Sequence, residues 1–296
     1  MEICYWIDMS EKQMVQWFPG HMAKTRRVIS ADLKLVDIVI ELLDARVPIS
    51  SENPEIDRLI KNKPRLVLLN KSDLADPKIN KLWVSYFKSR RIGSLLVDAK
   101  SGKGINGVIP AIKNVLSDEI ERLKAKGMGG KMIRAMVVGI PNVGKSSLIN
   151  RLANGKSVKV EDRPGVTRGR QWVSLQNGVE LLDTPGILWH KFDDMSVGEK
   201  LAFTGAVKDQ VVDIYTLASS LLDVLSTDYK HLVMQRYKLE NIDGLHGFEV
   251  LELIARKRGM LISGGEVDLE RASVAVLDEF RGGIIGKISL DLPPVK

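Results

Sequence analysis

One stretch of the sequence has the residue types and spacing to bind a polyphosphate. Residues 139–147 read G-I-P-N-V-G-K-S-S, follow a short apolar run and precede a segment with helical spacing. This is the strand, G-x-x-x-x-G-K-S, helix context of a phosphate-binding loop (P-loop), in which backbone N–H groups and a helix N-terminus face the phosphates. We expect Lys145 to reach the β and γ phosphates and the Ser146 hydroxyl to ligate Mg²⁺. The predicted contacts in this loop are Pro141, Asn142, Val143, Gly144, Lys145, Ser146 and Ser147.

A second motif can select the base. Residues 70–73 read N-K-S-D after an apolar run and fit the pattern N-K-x-D. The Asp73 carboxylate would accept hydrogen bonds from guanine N1–H and the exocyclic amine. Adenine carries an acceptor at N1 and would leave that carboxylate unpaired, at a cost of about 1–3 kcal/mol. The stem of Lys71 can lie along the face of the base, so Asn70, Lys71 and Asp73 are the predicted guanine contacts.

Three further segments fit the same nucleotide. Asp98-Ala99-Lys100 resembles the S-A-K loop whose backbone N–H meets guanine O6, although Asp98 replaces the usual Ser. Residues 183–186 read D-T-P-G and fit D-x-x-G, in which Asp183 would hold Mg²⁺ through water and Gly186 would bond the γ-phosphate. Thr167, in a basic loop, is the expected switch Thr with its hydroxyl on Mg²⁺. Together the motifs predict binding of GTP and GDP.

The elements around these motifs indicate an α/β fold. Apolar runs of strand length at Asp37–Leu43, Arg65–Leu69 and Leu95–Val97 alternate with helical segments at Asn53–Lys61 and Asn106–Lys126, which predicts a parallel-type sheet flanked by helices. A strand pair is predicted around Asn177-Gly178, a hairpin-type turn. From Ser196 onward the spacing is helical, with predicted segments near Val197–Val207, Val211–Leu225, Phe248–Lys257 and Leu269–Phe280. We therefore predict an N-terminal extension (1–15), a GTPase domain (16–195) and a small all-helical domain (196–296).

Composition restricts the remaining possibilities. The chain of 296 residues has one cysteine, Cys4, so internal disulfides and a Cys-based zinc site are excluded and a reducing cytoplasm fits best. No apolar run is long enough to span a bilayer, and no membrane partner is expected. The net charge of +7 resides in the N-terminal part, because residues 206–296 contain 11 Lys and Arg against 14 Asp and Glu. That distribution weakens the idea of the C-terminal part as a simple basic RNA clamp.

The order of the motifs is unusual, because N-K-x-D and the D-A-K loop precede the P-loop. With Trp17-Phe18-Pro19-Gly20-His21-Met22, Asp44-Ala45-Arg46 and Asp183-Thr184-Pro185-Gly186, this order resembles the circularly permuted GTPases of the ribosome biogenesis GTPase A (RbgA/YlqF) family. The resemblance implies a cytoplasmic GTPase that matures the large ribosomal subunit, and a C-terminal helical domain that binds its rRNA. We expect the protein to act as a monomer.

Permutation has two consequences. The segment after Gly186 no longer returns to the sheet but leads into the helical domain, so loss of the γ-phosphate should move that domain. The segment before Asp37–Leu43 should replace the helix that normally follows the second switch, which brings His21 near the γ-phosphate. Ile187 stands where Ras-type enzymes carry the water-orienting Gln. The resemblance implies His21 as the catalytic residue; a helix-capping role for His21, or catalysis by His190, are the alternatives.

Several interpretations stay open at the level of sequence. Asn142 resembles the P-loop Asn of potassium-stimulated GTPases, or is an ordinary polar loop residue. Arg256-Lys257-Arg258 and three switch-loop arginines (Arg163, Arg168 and Arg170) are candidate phosphate contacts, or solvated charges. The alternatives to a ribosome-assembly GTPase are a GTP-gated RNA-binding module with little hydrolysis and a GTPase that acts on tRNA.

Overall fold

Six strands form one mixed sheet in the computed structural model of the chain, which describes residues 27–60, 63–153, 171–175, 177–183, 195–207, 209 and 212–294. The strands are β1 (Ile38–Asp44), β2 (Arg65–Asn70), β3 (Gly93–Leu96), β4 (Ile133–Val138), β5 (Gln171–Ser174) and β6 (Val179–Asp183). Their order is β3-β2-β1-β4-β6-β5, and all neighbours are parallel except the antiparallel pair β5–β6. The two central strands are therefore β1 and β4, and the P-loop follows β4.

Twelve α-helices are found in the described residues. They are α1 (27–32), α2 (Pro48–Ser51), α3 (Pro54–Ile60), α4 (Pro77–Ser89), α5 (Val108–Val115), α6 (Ser117–Ala125), α7 (Lys145–Leu152), α8 (Met195–Phe203), α9 (Ile214–Asp228), α10 (Lys230–Tyr237), α11 (Gly247–Lys257) and α12 (Leu269–Arg281). No described helix is long and apolar enough to cross a membrane. After α12 the chain continues without helix or strand to residue 294.

Helices cover both faces of the sheet, which explains why its central strands are apolar runs rather than alternating patterns. All seven residues of β1 are buried. On one face, Ile29 of α1 and Ile56 of α3 pack with strand residues such as Met136, and Trp83 of α4 packs near Leu69. On the other face, the buried side chains of α5 and α7 form one continuous apolar cluster with those of α8 to α12.

The predicted α/β architecture is correct, with several local differences. The helix predicted over Asn106–Lys126 is two helices, since the backbone leaves helical geometry at Leu116 (φ −100°, ψ 14°). The helix predicted over Asn53–Lys61 is preceded by the short α2, and α10 lay outside every predicted segment. The predicted strand Leu95–Val97 is instead β3 (Gly93–Leu96). Periodicity could not locate these boundaries because apolar spacing continues across the break at Leu116.

The turn between β5 and β6 has the geometry that the sequence predicts. Asn177 and Gly178 both have positive φ, at 68° and 78°. This backbone suits a tight hairpin because its twist matches that of the two flanking strands. The hairpin sets the β5–β6 register, with Ser174 opposite Glu180 and Gln171 opposite Asp183.

Candidate nucleotide-binding site

The motif loops meet at the C-terminal edge of the sheet, where ligands of open α/β sheets bind. They surround a cavity of about 1000 Å³. Strands β2, β3 and β4 deliver the N-K-S-D, D-A-K and P-loop residues to this edge, and α12 closes one side. The residues that line the cavity are Arg46, Asn70, Lys71, Asp73, Leu74, Asp98, Ala99, Lys100, Asn142, Gly144, Ser147, Asn150, Arg151, Thr204, Arg281 and Gly282.

The P-loop wraps around the start of α7. Gly144 is the residue before this helix and has φ 102°, a conformation that residues with a Cβ rarely adopt. A Cβ on Gly144 would also lie 2.4 Å from Asn70 Nδ2. Lys145 is buried, and its ammonium donates to the carbonyls of Gly139 (3.1 Å) and Ile140 (2.8 Å). The loop therefore presents a helix N-terminus and a cation, both of which suit a polyphosphate.

Asn70 joins the base-reading loops to the P-loop. Its Nδ2 donates to the Val143 carbonyl at 2.7 Å, and its Oδ1 accepts from the Ala99 backbone N–H at 2.9 Å. The side chain is buried. Because this one buried amide forms hydrogen bonds with both the P-loop and the D-A-K loop, it connects these two motifs rigidly to the N-K-S-D motif. Asn70 thus acts between the loops, in addition to any contact with a ligand.

The N-K-S-D loop holds its other two residues at the cavity. Lys71 has φ 57°, and its ammonium lies 3.0 Å from Asp44 Oδ2. Asp73 is exposed and lines the cavity. Asn80 of α4, which sequence reasoning missed, donates to the Ser72 carbonyl at 3.0 Å and supports the loop from behind. An amide four residues into a helix is too common in sequences to have pointed to this role.

The Asp98 carboxylate organises the D-A-K loop. Its Oδ1 accepts from the backbone N–H groups of Lys100 (2.8 Å) and Ser101 (3.2 Å). Burial would raise the pKa of Asp98, but hydrogen bonds from the side chain and backbone of Ser101, the Lys100 backbone N–H and the charge of Lys100 lower it below its ordinary value. An Asp can therefore perform the local turn-forming role that the usual Ser would perform. Arg151 of α7, also missed from sequence, donates to the Lys100 carbonyl and ties this loop to the P-loop helix.

The rim of the cavity includes residues from beyond position 195. Asn142 in the P-loop has φ 56°, and its Nδ2 donates to the Gly205 carbonyl at 2.7 Å. Arg281, at the end of α12, donates to the Phe203 carbonyl at 3.1 Å and pairs with Asp209 at 2.7 Å. The P-loop is thus connected through the end of α8 to the C-terminal helices. The sequence motifs gave no sign of this connection.

The predicted Mg²⁺ ligands are only partly within the described residues. Ser146 lies in the first turn of α7, and Asp183 ends β6, paired with Val137 of the strand that precedes the P-loop. Their backbones are therefore at the same edge of the sheet, as a shared ion requires. Thr167 and Gly186 lie outside the described residues, as does the proposed catalytic residue His21. No cluster of three or more His, Cys, Asp and Glu suited to a metal is present in the described part of the chain.

The basic run near the end of α11 is less available to phosphates than its sequence suggests. Arg256 pairs with Glu252 one turn earlier at 2.6 Å, and Arg258 pairs with the buried Glu279 near the end of α12, also at 2.6 Å. Two of the three basic residues in this run therefore form ion pairs within the protein, because acidic partners lie at helical spacing or on a neighbouring helix. Lys257 is exposed.

Comparisons with known proteins identify the family of the chain. The sequence model of a family described as 50S ribosome-binding GTPase matches residues 134–243. The chain is 49% identical over 280 residues to ribosome biogenesis GTPase A of Priestia megaterium, covering 94% of this chain and 97% of that protein. It is 33% identical over 303 residues to mitochondrial ribosome-associated GTPase 1 of Xenopus tropicalis, with 96% of each covered. A crystal structure of GNP-bound YlqF from Thermotoga maritima superposes with TM-score 0.63 at 29% identity, over 92% of this chain and all of that one.

The extent of these matches bears on the order of the motifs. The region matched by the family model begins in β4 and leaves residues 70–73 outside, as expected where the guanine motif precedes the P-loop. The full-length similarity to the Priestia megaterium protein includes both parts. The chain is a GTPase of ribosome biogenesis with a circularly permuted motif order, and it belongs to the ribosome biogenesis GTPase A family.

Proposed function

We propose that this GTPase acts late in maturation of the large ribosomal subunit, binds the rRNA of the precursor subunit in its GTP state, and works as a monomer in the cytoplasm. Relatives whose names refer to ribosome biogenesis and to the 50S subunit support the choice of partner. The observation that carries the proposal is the Asn70 bridge, which holds the guanine-reading and phosphate-binding loops around one cavity. The same cavity is bordered by residues of the C-terminal helices, which would bind the RNA.

The proposal gives the main motif residues the following roles. Asp73 and Lys71 read the guanine base, and the Ala99 N–H, held by Asn70, meets its O6. Backbone groups of the P-loop from Pro141 to Ser147, with Gly186, contact the phosphates. Lys145, which is poised at the loop by two carbonyls, neutralises charge that develops during hydrolysis. Ser146, Thr167 and Asp183 would hold Mg²⁺, which would supply electrostatic stabilisation to the phosphates.

His21 is our candidate for the residue that orients the attacking water. The position of α1 supports this assignment. Helix α1 precedes the parallel strand β1 and packs through Ile29 with Met136 of β4 and Leu182 of β6. A helix that leads into a parallel strand runs antiparallel to it, so the start of α1 points toward the edge that carries the P-loop. Residue 21 precedes the first described residue of this helix by six positions.

Replacement of His21 by Ala should leave GTP affinity close to that of the wild type and slow turnover in the presence of ribosomal subunits by about 10²–10⁴-fold, the usual effect of losing a general base or water-orienting group. The His190→Ala variant is the matched comparison. Unchanged turnover in His21→Ala would remove this residue from the mechanism, and a loss confined to His190→Ala would reassign the role.

We further propose that Asn142 helps to hold K⁺, which would supply part of the charge of an arginine finger. Its place in the P-loop supports this role, and its Nδ2 bond to Gly205 leaves the amide oxygen as the group to face a cation. Hydrolysis should be faster in KCl than in NaCl at equal ionic strength, and Asn142→Ala should abolish the difference. Equal rates in the two salts for the wild type would contradict K⁺ binding.

The experiment that tests the whole proposal is sedimentation with ribosomal subunits. Large subunits should carry the protein down with a non-hydrolysable GTP analogue and release it with GDP, while Lys145→Ala should lose the nucleotide dependence. Hydrolysis should rise when large subunits are added. Hydrolysis that stays undetectable with subunits would favour a GTP-gated binding module, and stimulation by tRNA alone would favour a tRNA-directed enzyme.

A further inference from the structure

The Asp44-Ala45-Arg46 turn at the end of β1 borders the cavity through Arg46, but none of the nucleotide contacts proposed above uses it. Arg46 is 1% exposed and forms a fork with Asp44, at 2.9 Å from Nε and 2.8 Å from the second guanidinium nitrogen. The Arg46 backbone N–H also donates to Asp44, at 3.1 Å. A buried pair of this kind keeps its charges only if every remaining donor and acceptor finds a partner.

On one side the pair contacts the guanine-reading loop. Asp44 Oδ2 lies 3.0 Å from the ammonium of Lys71, and Asp44 lies beside Asn70 in the β1–β2 register. Burial would raise the pKa of Asp44, but the charges of Arg46 and Lys71 and the hydrogen bonds from Arg46 lower it well below its ordinary range. Asp44 is therefore a carboxylate shared by two cations, and the position of Lys71 depends on it.

On the other side the pair contacts the end of α12. The remaining guanidinium nitrogen of Arg46 is 3.4 Å from both the Phe280 and Arg281 carbonyls, and the guanidinium lies 5.2 Å from the Phe280 ring centroid. The last carbonyls of a helix lack partners within it and carry its negative dipole end. Arg46 supplies both a donor and a positive charge there.

The turn after α12 packs directly on the guanine-reading loop. Gly283, with φ 70°, ends the helix, and a Cβ on it would lie 2.7 Å from the Leu74 side chain. The Ile288 N–H then donates to the Leu74 carbonyl at 3.0 Å, and the Leu290 N–H donates to the Arg46 carbonyl at 2.7 Å. A shift of residues 71–74 is therefore transmitted to α12 through backbone contacts as well as through the buried charges.

We propose that Asp44 and Arg46 are positioning residues that couple binding of the guanine base at Lys71 to the seating of the C-terminal end of α12. The inference rests on the proposed role of Lys71 in base binding. A base against the Lys71 stem fixes its ammonium on Asp44, which fixes the Arg46 fork and thereby the cap on the α12 carbonyls. The Lys71 ammonium, the Asp44 carboxylate and the Arg46 guanidinium form one row of alternating charge, so each end senses the other.

Hydrogen exchange of the segment 278–284 measures this coupling. Its amides at Gly282, Gly283 and Ile284 are bonded across the helix end, to Asp278 (2.8 Å), Phe280 (3.1 Å) and Glu279 (2.8 Å). In the wild type, saturating GDP should slow their exchange by about fivefold or more, the lower range of typical coupling between sites. Arg46→Lys keeps a charge beside Asp44 but lacks the planar fork that reaches the Asp44 carboxylate and the α12 carbonyls at the same time, so the ratio should fall toward one while GDP still binds.

A matched variant separates coupling from simple loosening of the helix. Arg236 pairs with Glu279 on the same turn of α12 at 2.8 Å, away from Asp44. Arg236→Gln should speed exchange of this segment with and without GDP and preserve the ratio between them. Asp44→Asn is the second arm if Arg46→Lys does not fold, and it should also reduce the ratio.

Three results would overturn the coupling: a GDP-independent exchange rate in a wild type that binds GDP, an unchanged ratio in Arg46→Lys or Asp44→Asn, or an equal loss of the ratio in Arg236→Gln. Affinity for a fluorescent GDP analogue is measured on the same samples. If the wild type does not bind GDP at all, the proposed function fails, and the coupling fails with it.

Discussion

Replacement of Asn70 by Ala tests whether one buried amide holds the site together. The side chain is 3% exposed and makes two short hydrogen bonds to backbone groups of different loops, Val143 and Ala99. Alanine removes both and leaves the Val143 carbonyl and the Ala99 N–H without these partners. Each such group costs about 1–3 kcal/mol when it stays buried and unsatisfied. The cavity of about 1000 Å³ beside them lets water satisfy part of that demand.

We therefore expect a loss of about 2–3 kcal/mol in the free energy of unfolding, the lower part of the range for two such groups. Nucleotide affinity should fall as well, because the ligand would have to order two loops that Asn70 otherwise holds together. A loss of about 1.4–2.8 kcal/mol in binding corresponds to a rise in the dissociation constant of about 10–100-fold. The two effects have the same cause, and both should appear in one variant.

Urea unfolding without nucleotide and titration with fluorescent GDP measure the two quantities. Asn80→Ala is the matched control, since Asn80 is 4% exposed and donates to the Ser72 carbonyl of the same loop. It should reduce stability by about 1–2 kcal/mol and change GDP affinity less than threefold. The reasoning is refuted if Asn70→Ala binds GDP as tightly as the wild type, or if both variants weaken GDP binding equally.

Two further predictions concern the C-terminal helices. In Gly247→Ala the new Cβ would lie 1.9 Å from the Ser219 carbonyl oxygen, so α11 must move away from α9. The free energy of unfolding should fall by about 2–3 kcal/mol, as measured by thermal unfolding. An unchanged Tm would contradict the close contact. Glu279 has a pKa of about 2, because its hydrogen bonds from Arg236 and Arg258 outweigh the effect of burial. The stabilisation that ionised Glu279 contributes is therefore complete above the unfolded pKa of 4.5 and is lost as pH falls toward 2. The urea midpoints of Glu279→Gln and the wild type should differ at pH 7 and converge near pH 2. A difference that stays constant with pH would contradict this assignment.

Much of the pocket was predictable from sequence because its motifs directly follow buried strands. An apolar run such as β2 ends in a short polar motif, and parallel strands deliver such motifs to one edge. Motif order then indicated permutation, which leaves the spatial order of strands unchanged. Local patterns sufficed here, since each motif and its strand lie within about ten residues of each other.

The contacts that connect the pocket to the C-terminal helices could not be predicted in the same way. Arg46 and Phe280 are separated by 234 residues, and Asn142 and Gly205 by 63. Nothing in an Arg or Asn at these positions specifies a helix end as its partner, because packing of distant elements decides that. Helix α10 was missed for a related reason: only Val233 and Tyr237 are buried in it, so its apolar face is too narrow to recognise by periodicity.

The permuted order of the motifs explains why these distant contacts can form. In the order found here, the chain leaves β6 and passes to α8 rather than returning to β1, so every element from α8 onward is free to pack on the rim of the pocket. The described contacts reach each of three loops: Gly205 bonds the P-loop at Asn142, Ile288 bonds the N-K-S-D loop at Leu74, and the end of α12 bonds Arg46. A ligand that shifts any of these loops must therefore break a bond to the helical region or carry that region with it. An RNA-binding surface built on those helices would sense the nucleotide without touching it.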